Sequence, residues 1–412
     1  MHYPRVSLYA LLLAAAGIPL YIHLPQFASI NLGISLGTIG TVLLAIRLID
    51  LVQDPLIGWA IDRWPKAQSA FALAAALGLA LGFPLLFSLN PVPYVVAHLI
   101  ATLLLLFLAY SLGSILLYGR SATLALKPEP QSLLTLAAYR EGGTLSGVLI
   151  AAIAPAAFLA LGAGGGGYKA FGYFLGALAI LTAVLTIPLW RRPAIVGERL
   201  SLQGLTESGA LRLLALALVN SLPVSITSTL FLFFVEDRLG LPGFAGPLLL
   251  LFFLSAGLSL PLWTRISQAI GTKRTLMISM PLAIAGFAGT AFLPPGSLYG
   301  FTAICIAAGA ALGADTVLLP AMFSVVLTKA GLKASLAFGI WAFAGKLGLA
   351  LAAAIVMPLL QWNGFLSGQT NSAHALNTLN IAYAVIPCIL KLGAFALVLT
   401  LPDERPTNGS GL

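Results

Sequence analysis

Three ionisable residues lie close together in one apolar stretch of the chain, where charged side chains are costly. Arg47, Asp50 and Asp54 are spaced three and four residues apart, with Gln53 beside them. A helix would carry the three charged residues on one face. Two carboxylates one turn apart repel each other, which favours a proton or a hard cation bound between them. We therefore expect Asp50, Asp54 and Gln53 to contribute to a cation site.

A structural role is the alternative for this segment, because Arg47 could neutralise one carboxylate in a static network. One negative charge would remain, and Lys346 in a later apolar stretch supplies a positive charge for it. A charge at the bilayer centre costs about 2.5–3.5 kcal/mol, so a function is the default expectation there. We expect Arg47 and Lys346 to form a charge network with the acids, with pairing across two halves of the chain.

Four further ionisable residues fall within apolar stretches. Arg140 is expected to serve a gate or a cavity, and Glu141 to point away from it, because helix neighbours at i and i+1 do not face each other. Asp315 follows small residues that permit close helix approach, and it has either a cavity role or a structural partner. Lys391 is expected to snorkel or to pair structurally.

Hydroxyl and aromatic side chains near these charges could contact a solute. Ser111 and Ser114 are one helical turn apart and could offer oxygens to a cation or a solute. Tyr110, Tyr118 and Trp341 could stack on a ligand. The alternative is that the serines bond their own helix backbone and that the aromatic residues only pack. We assign Ser111 to the cation site, and Ser114 with the three aromatic residues to a substrate cavity.

The composition decides which kind of fold must position these residues. Of 412 residues, 59% are hydrophobic and 8% are charged, with a mean hydropathy of +1.01. Soluble proteins carry about a quarter charged residues, so a soluble protein is excluded. Apolar runs of roughly 20 residues, each long enough to cross a bilayer, recur along the chain. The sequence therefore predicts an all-α polytopic membrane protein.

Twelve transmembrane helices are predicted from these runs, in two six-helix bundles. A first bundle would span 1–190, a cytoplasmic linker 191–208 and a second bundle 209–412. Each half carries a Pro-Leu pair before a basic loop, at Pro55-Leu56 and Pro261-Leu262, as expected of parallel repeats that enclose a central cavity and work by alternating access. The predicted spans are 7–30, 36–61, 69–89, 93–119, 133–161, 169–190, 209–235, 243–266, 274–293, 297–327, 334–361 and 377–401.

The Lys and Arg residues predict the orientation. With a cytoplasmic N-terminus, the outside loops hold only Lys169 and Arg238. We expect a multi-pass protein of a bacterial-type inner (plasma) membrane with both termini cytoplasmic and an uncleaved first span. The inside segments hold Arg5, Arg63, Lys66, Arg120, Lys127, Arg191, Arg192, Arg199, Arg212, Arg265, Lys273, Arg274, Lys329, Lys333 and Arg405.

Other functional classes find little support. The formal charge of +9 sits in short loops, so no nucleic-acid partner is expected. Cys305 and Cys388 lie in apolar runs without metal-like spacing, and we expect neither a disulfide nor a metal. The catalytic HExxH motif is absent from the sequence, Gly345-Lys346 lacks the Ser or Thr of a phosphate loop, and the glycine run 162–167 is typical of a flexible connection. We expect no enzyme and no cofactor apart from a coupling ion.

The chain resembles the major facilitator superfamily, and within it the glycoside–pentoside–hexuronide:cation symporters, the family of melibiose permease. The resemblance rests on Arg47, Asp50, Asp54-Pro55, Gly58 and Asp62 at that family's helix-two spacing, with Arg140 and Lys346 in helices five and eleven. It implies that the two helix-two acids bind the coupling cation with a helix-four hydroxyl, which corresponds to Ser111. It also places Asp62 in the charge network.

The sequence departs from that family at the solute-binding positions. The family's sugar-gripping acids in helices one and four fall near Ala14 and Ser114, and its helix-two asparagine is Gln53. The residues that bind the coupling cation are retained, whereas the acids that bind the sugar are not. From the family resemblance we expect symport of a small solute, a sugar or related carbohydrate, coupled to H⁺ or Na⁺. The protein is expected to work as a monomer embedded in membrane lipid. The alternatives are transport of an amphipathic or lipid-like solute and a non-transporting receptor or scaffold.

Overall fold

A computed structural model describes residues 3–18, 20, 23–91, 93–162, 164, 167–193, 197–366 and 370–402. Both chain ends, including Arg405, lie outside these ranges, as do parts of the glycine run 162–167 and of the linker 191–208. The described residues are almost entirely helical. In chain order the helices are α1 Tyr3–Ile18, α2 Leu24–Ile30, α3 Leu36–Arg63, α4 Gln68–Phe87, α5 Val95–Gly119, α6 Ser121–Leu124, α7 Pro130–Ala160, α8 Tyr168–Trp190, α9 Leu202–Glu207, α10 Ala210–Phe233, α11 Ala245–Ile270, α12 Thr272–Ala291, α13 Leu298–Lys329, α14 Ser335–Trp362, α15 Ala373–Asn380 and α16 Ile386–Leu399.

The predicted all-α polytopic fold of twelve transmembrane helices is confirmed. Within the described ranges, nine helices are long and apolar enough to cross a membrane. The remaining three spans are α1 with α2, α3, and α12. Helix α3 is long enough but carries the ionisable residues singled out above, α12 begins with two basic residues, and α1 ends after 16 residues. Their charges or interruptions, rather than their lengths alone, set them apart.

The chain divides into two compact units. The first unit comprises Met1–Ser201 with Leu327–Phe343, and the second comprises Leu202–Val326 with Ala344–Leu412. The first unit thus includes α1 to α8 together with the end of α13 and the beginning of α14. Helices α9 to α12, most of α13, the rest of α14, α15 and α16 form the second unit.

Glycines allow the helices of the first unit to approach backbone to backbone. A Cβ at Gly143 of α7 would lie 2.1 Å from the Ser7 carbonyl oxygen of α1, and one at Gly147 would lie 2.2 Å from the Leu11 oxygen. The two glycines are four residues apart, which places them on one face of α7. Such small-xxx-small pairs are typical of membrane helix interfaces, where packing rather than the hydrophobic effect holds helices together.

The second unit uses the same device and adds an aromatic core. A Cβ at Gly309 of α13 would lie 2.3 Å from the Phe252 carbonyl oxygen of α11. Two π-helical segments, Phe234–Arg238 after α10 and Ile381–Val385 before α16, meet through the stacked rings of Phe234 and Tyr383, whose centroids are 4.0 Å apart. Both rings belong to the buried core of this unit.

Two arginines join the ends of helices in the first unit. Arg120 follows α5 and donates to the carbonyl oxygens of Trp190 and Arg192 beyond α8, at 3.2 and 2.5 Å. Arg192 donates in return to the Thr123 and Leu124 carbonyls of α6, at 3.0 and 3.3 Å. Burial and the neighbouring Arg192 charge lower the pKa of Arg120 to about 10. The exchange satisfies carbonyls that a helix C-terminus leaves without partners.

Candidate functional site

Helix α3 carries the two acids of the predicted cation site at its centre. Asp50 is 2% exposed and Asp54 is 0% exposed, whereas Arg47 on the same helix is exposed. Ser35 begins the helix by accepting a hydrogen bond from the backbone N–H of Thr38, at 3.2 Å. Pro55 directly follows Asp54 inside the helix. The helix therefore buries both carboxylates.

Asp50 has two polar partners within the first unit. The Ser111 hydroxyl of α5 donates to Asp50 Oδ1 at 3.0 Å, and the Gln53 amide donates to the same oxygen at 2.6 Å. Ser111 is itself buried. Two of the other three residues expected at the cation site thus contact Asp50, and the third, Asp54, lies one helical turn further along α3. Carboxylate, hydroxyl and amide oxygens are the ligands that hard cations take from proteins.

Asp62, at the end of α3, contacts the beginning of α14 inside the first unit. Its Oδ2 accepts from the backbone N–H of Leu336 at 2.8 Å, and its Oδ1 accepts from that of Ser335 at 3.3 Å. The Lys333 ammonium donates to the Asp62 carbonyl oxygen at 2.9 Å. A carboxylate at a helix N-terminus satisfies N–H groups that lack intrahelical partners and complements the helix dipole.

A close backbone approach accompanies this cap. A Cβ at Gly58, one turn before Asp62, would lie 2.4 Å from the Ser335 carbonyl oxygen. A Cβ at Gly119, the last residue of α5, would lie 2.7 Å from the Ser335 Cα. Both glycines are therefore needed for α14 to begin where it does.

Arg140 and Glu141 form a buried ion pair, so the expectation that Glu141 points away from Arg140 is wrong. Arg140 Nε lies 2.9 Å from Glu141 Oε1, and the two residues are 1% and 5% exposed. The Tyr118 hydroxyl donates to the same Glu141 oxygen at 2.9 Å. Arg140 also donates to the Ser121 hydroxyl at 3.3 Å. The two side chains meet because both turn toward Tyr118 of α5 instead of following the helix surface.

The face of the Tyr118 ring completes this cluster. The Arg140 guanidinium carbon lies 3.7 Å from the ring centroid, within the range of a cation–π interaction. The ring also packs against Phe338, which in turn packs against Trp341, with centroids 5.6 and 6.3 Å apart. Tyr118 and Trp341, both expected at the substrate cavity, are thus linked through one intervening phenylalanine in the first unit.

A cavity of about 190 Å³ lies between α1, α5 and α7 of the first unit. The polar residues that line it are Tyr110, Ser114, Tyr118 and Thr144, each of which carries a hydroxyl. Among the described residues that line it there is no Asp, Glu, Lys, Arg or His. Ala14 and Ser114, the positions at which the resembled family carries acids, both line this cavity. The apolar lining comprises Ala10, Leu13, Ala14, Gly17, Leu117 and Val148.

Asp315 lies in the second unit, where it belongs to a buried triad. Lys391 of α16 donates to Asp315 Oδ2, and the Asn220 amide of α10 donates to the same oxygen at 3.2 Å. Lys391 also donates to the side-chain oxygen of Asn220, Oδ1, at 2.5 Å. The structure thus gives Asp315 a charged partner on another helix. Lys391 pairs with it, which is one of the two alternatives expected for that lysine.

The remaining charge of the predicted network is Lys346, which lies in the part of α14 that belongs to the second unit. It is partly exposed. Its pairing with the acids of α3 stays a prediction.

Three residues of these sites were not predicted from the sequence to be functional. Helical spacing predicts that Glu141 faces away from Arg140, and Thr144 and Asn220 are not among the predicted site residues. Asn220 carried a usable signal, because an amide in an apolar stretch must find a hydrogen-bonding partner in a membrane. Thr144 is one helical turn from Arg140 and could have been placed on the same face.

The helices are those of a polytopic membrane protein, and solved structures share the fold. A bacterial homologue of the iron transporter ferroportin in the outward-facing state has a TM-score of 0.73 at 14% identity, over 96% of this chain and 100% of that one. A variant of the Escherichia coli fucose:proton symporter has a TM-score of 0.65 at 14% identity, over 95% and 98% of the two chains. At this identity the likeness shows the major facilitator fold alone.

Sequence comparison identifies the family. The family described as MFS/sugar transport protein matches residues 7–404, and the chain therefore belongs to it. An isoprimeverose transporter of Lactiplantibacillus pentosus is 25% identical over 409 residues, covering 90% of this chain and 82% of that protein. The predicted resemblance is confirmed. The chain is a membrane transporter of a sugar-transporting family, with a small-molecule solute.

Proposed function

We propose that the chain is a symporter that couples the movement of a sugar or related carbohydrate to H⁺ or Na⁺. The observation that carries the proposal is the pair of buried carboxylates one turn apart on α3, with the Ser111 hydroxyl on Asp50. Ionisable groups persist inside a membrane protein where ions or protons visit them. Membership of a sugar-transport family supports the choice of solute.

The contacts of Asp50 suggest how the site would receive a cation. In the described arrangement the Ser111 hydroxyl and the Gln53 amide both donate to Asp50 Oδ1. A Na⁺ at this position would replace the two donors, and rotation of the hydroxyl and of the amide would present their oxygens as ligands. A proton would instead neutralise a carboxylate directly. Either event removes negative charge from α3 and biases alternating access.

Proteoliposomes test this function. The purified protein is reconstituted, and uptake of radiolabelled isoprimeverose, L-fucose and D-xylose is followed with an inward Na⁺ gradient, an inward H⁺ gradient, or neither. We expect accumulation of at least one sugar with one of the gradients and only equilibration without it. Accumulation that ignores both gradients contradicts coupling.

An amphipathic solute is the second candidate, favoured by the largely apolar lining of the cavity in the first unit. Adding a short-chain lysophospholipid to the same assay distinguishes it. Gradient-driven uptake of that lipid without uptake of any sugar would replace the proposed substrate class. Binding without uptake of either compound would indicate a receptor.

We further propose that the protein works as a monomer in a bacterial-type inner membrane, surrounded by lipid, with both termini in the cytoplasm. The asymmetric distribution of Lys and Arg supports this orientation. Fusions that report location test it. A fluorescent protein fused after residue 412 should fluoresce, and alkaline phosphatase fused at Lys169 should be active. The reverse pattern would invert the topology.

A further inference from the structure

The cavity in the first unit meets the buried ion pair at one residue, Tyr118. This tyrosine forms part of the cavity wall, and its hydroxyl donates to Glu141 Oε1 at 2.9 Å. Arg140 covers the ring face and pairs with the same carboxylate oxygen. The orientation of the Tyr118 hydroxyl is therefore set by residues that do not line the cavity.

A tyrosine hydroxyl has one hydrogen to donate, whereas an ionised carboxylate only accepts. Because the Tyr118 hydrogen is directed to Glu141, the oxygen retains only acceptor capacity for any other partner. The hydrogen of the Thr144 hydroxyl is also already used, because this hydroxyl donates to the Arg140 carbonyl oxygen at 3.1 Å. Two of the four hydroxyl-bearing residues that line the cavity thus already donate their hydrogen to another group and keep only lone pairs for a solute.

The ion pair is a costly way to fill this space. Arg140 Nη2 is buried, and no hydrogen-bond partner for it lies among the described residues. Buried pairs of this kind can often be replaced by apolar side chains without loss of stability, so stability alone does not explain them. Their effect on Tyr118 gives this pair a role at the cavity.

We propose that Arg140 and Glu141 are positioning residues that hold Tyr118 as a hydrogen-bond acceptor, so that the cavity selects a neutral solute that donates hydroxyl hydrogens. Among the described residues that line the cavity none is charged, so a uronate or an amino sugar would find no opposite charge there. Its apolar lining fits the C–H face of a pyranose. This inference rests on the proposed function and specifies the substrate class of the same transporter.

The first experiment compares neutral and charged sugars on the full-length protein in detergent. Thermal unfolding is measured with D-xylose, L-fucose, D-glucose and methyl β-D-glucopyranoside, and with D-glucuronate and D-glucosamine. We expect at least one neutral sugar to raise the melting temperature and neither charged sugar to do so. A shift with a charged sugar as large as with the neutral ones, or no shift with any neutral sugar, overturns the proposal.

The second experiment tests the direction of the hydrogen bond. Each hydroxyl of the responding sugar is replaced in turn by fluorine, which cannot donate. We expect the Kd of at least one fluoro analogue to rise about tenfold in the wild type, corresponding to one lost hydrogen bond. Tyr118→Phe should reduce that ratio to below about threefold, because the acceptor is gone.

A neutral double variant isolates the role of the ion pair. In Arg140→Leu with Glu141→Leu, the Tyr118 hydroxyl regains its hydrogen for the cavity, and the fluoro analogue should again bind within about threefold of the sugar. The matched control is Lys127→Leu with Glu129→Leu, which removes an exposed pair 3.8 Å apart and should keep the wild-type ratio. A tenfold ratio that survives in the double variant overturns the proposal. Should that variant not fold, Tyr118→Phe decides.

The outcomes separate this inference from the proposed function. Gradient-driven accumulation of D-glucuronate would support symport and overturn the inference. Suppose instead that neutral sugars bind with the expected ratio of Kd values between fluoro analogue and sugar, but that no gradient drives their uptake. That result would support the inference and contradict symport.

Discussion

At the scale of single residues, the buried charges of the described chain contact both charged and neutral groups. Arg140 and Glu141 form an ion pair within the first unit, and Lys391 and Asp315 form one within the second unit. Asp50 instead accepts from two neutral groups, a hydroxyl and an amide. Neutral partners can exchange donor for acceptor by rotation, whereas an ammonium or a guanidinium cannot. The hydroxyl and the amide on Asp50 therefore support the proposal that a cation binds at α3.

Neutralising Asp54 tests this assignment. We expect Asp54→Asn to abolish gradient-driven accumulation while exchange of solute across the membrane persists, because the variant keeps the shape of the side chain but not its charge. Uptake and counterflow in proteoliposomes measure the two activities. The control is Glu207→Gln, which removes an exposed carboxylate and should behave as wild type. Normal accumulation by Asp54→Asn would remove Asp54 from the cation site.

Lys391 gives a second prediction at this scale. Lys391→Met should destabilise the protein by about 3–5 kcal/mol, because it leaves the Asp315 carboxylate buried without its cation. Lys391→Met combined with Asp315→Leu should recover most of that loss, since neither buried charge remains. Thermal unfolding in detergent compares the variants. A single variant as stable as wild type would show that the triad has no structural weight.

At the scale of helices, close packing replaces the hydrophobic effect as the means of choosing neighbours. Lipid tails are as apolar as leucine, so an apolar helix gains little by facing another apolar helix rather than lipid. Gly143 and Gly147 let the backbones of α7 and α1 touch, and Gly172 and Gly176 do the same for α8 and α4. The resulting contact between α1 and α7 closes one side of the cavity that Tyr118 lines.

Two adjacent glycines of α7 provide a matched test of this packing. A Cβ at Gly143 would meet the backbone of α1 at 2.1 Å, whereas one at Gly142 has no neighbour within 4 Å. We expect Gly143→Ala to destabilise the protein by about 1–3 kcal/mol, because backbone atoms cannot move aside cheaply. Gly142→Ala should be neutral or stabilising by up to about 1 kcal/mol. Equal melting temperatures for the two variants would contradict the interface.

At the scale of the whole molecule, symport requires that cation and solute affect each other's affinity. If Na⁺ or H⁺ raises solute affinity by some factor, the solute must raise cation affinity by the same factor. Couplings of about 1–3 kcal/mol, or about 5–150-fold, are typical. Asp54 should be required for this coupling, whereas Tyr118 should affect only the affinity for the solute.

Calorimetric titration measures this reciprocity. The Kd of the responding sugar is determined with and without saturating cation, and the Kd of the cation with and without saturating sugar. We expect equal ratios in the wild type and a ratio of one in Asp54→Asn. Tyr118→Phe should weaken the sugar and leave the cation Kd in its absence unchanged. A sugar Kd that is independent of both Na⁺ and pH would contradict coupling.

The sequence by itself determined the fold class and the limits of many of the spans. A membrane helix must satisfy its own backbone and match the bilayer thickness, and both requirements are local. The predicted spans 36–61 and 334–361, for example, correspond to helices Leu36–Arg63 and Ser335–Trp362. The common face of Asp50 and Asp54 follows from the helical period in the same way.

Only the tertiary structure decided which side chains meet across helices. The contact of Ser111 with Asp50, the triad of Asp315, Lys391 and Asn220, and the turn of Glu141 toward Tyr118 all depend on which helices are neighbours. Hydropathy does not determine those neighbours, because an apolar helix face is about equally stable against lipid and against another apolar helix. Glycine contacts and buried hydrogen bonds make the choice, and their partners lie tens to more than a hundred residues apart in the chain.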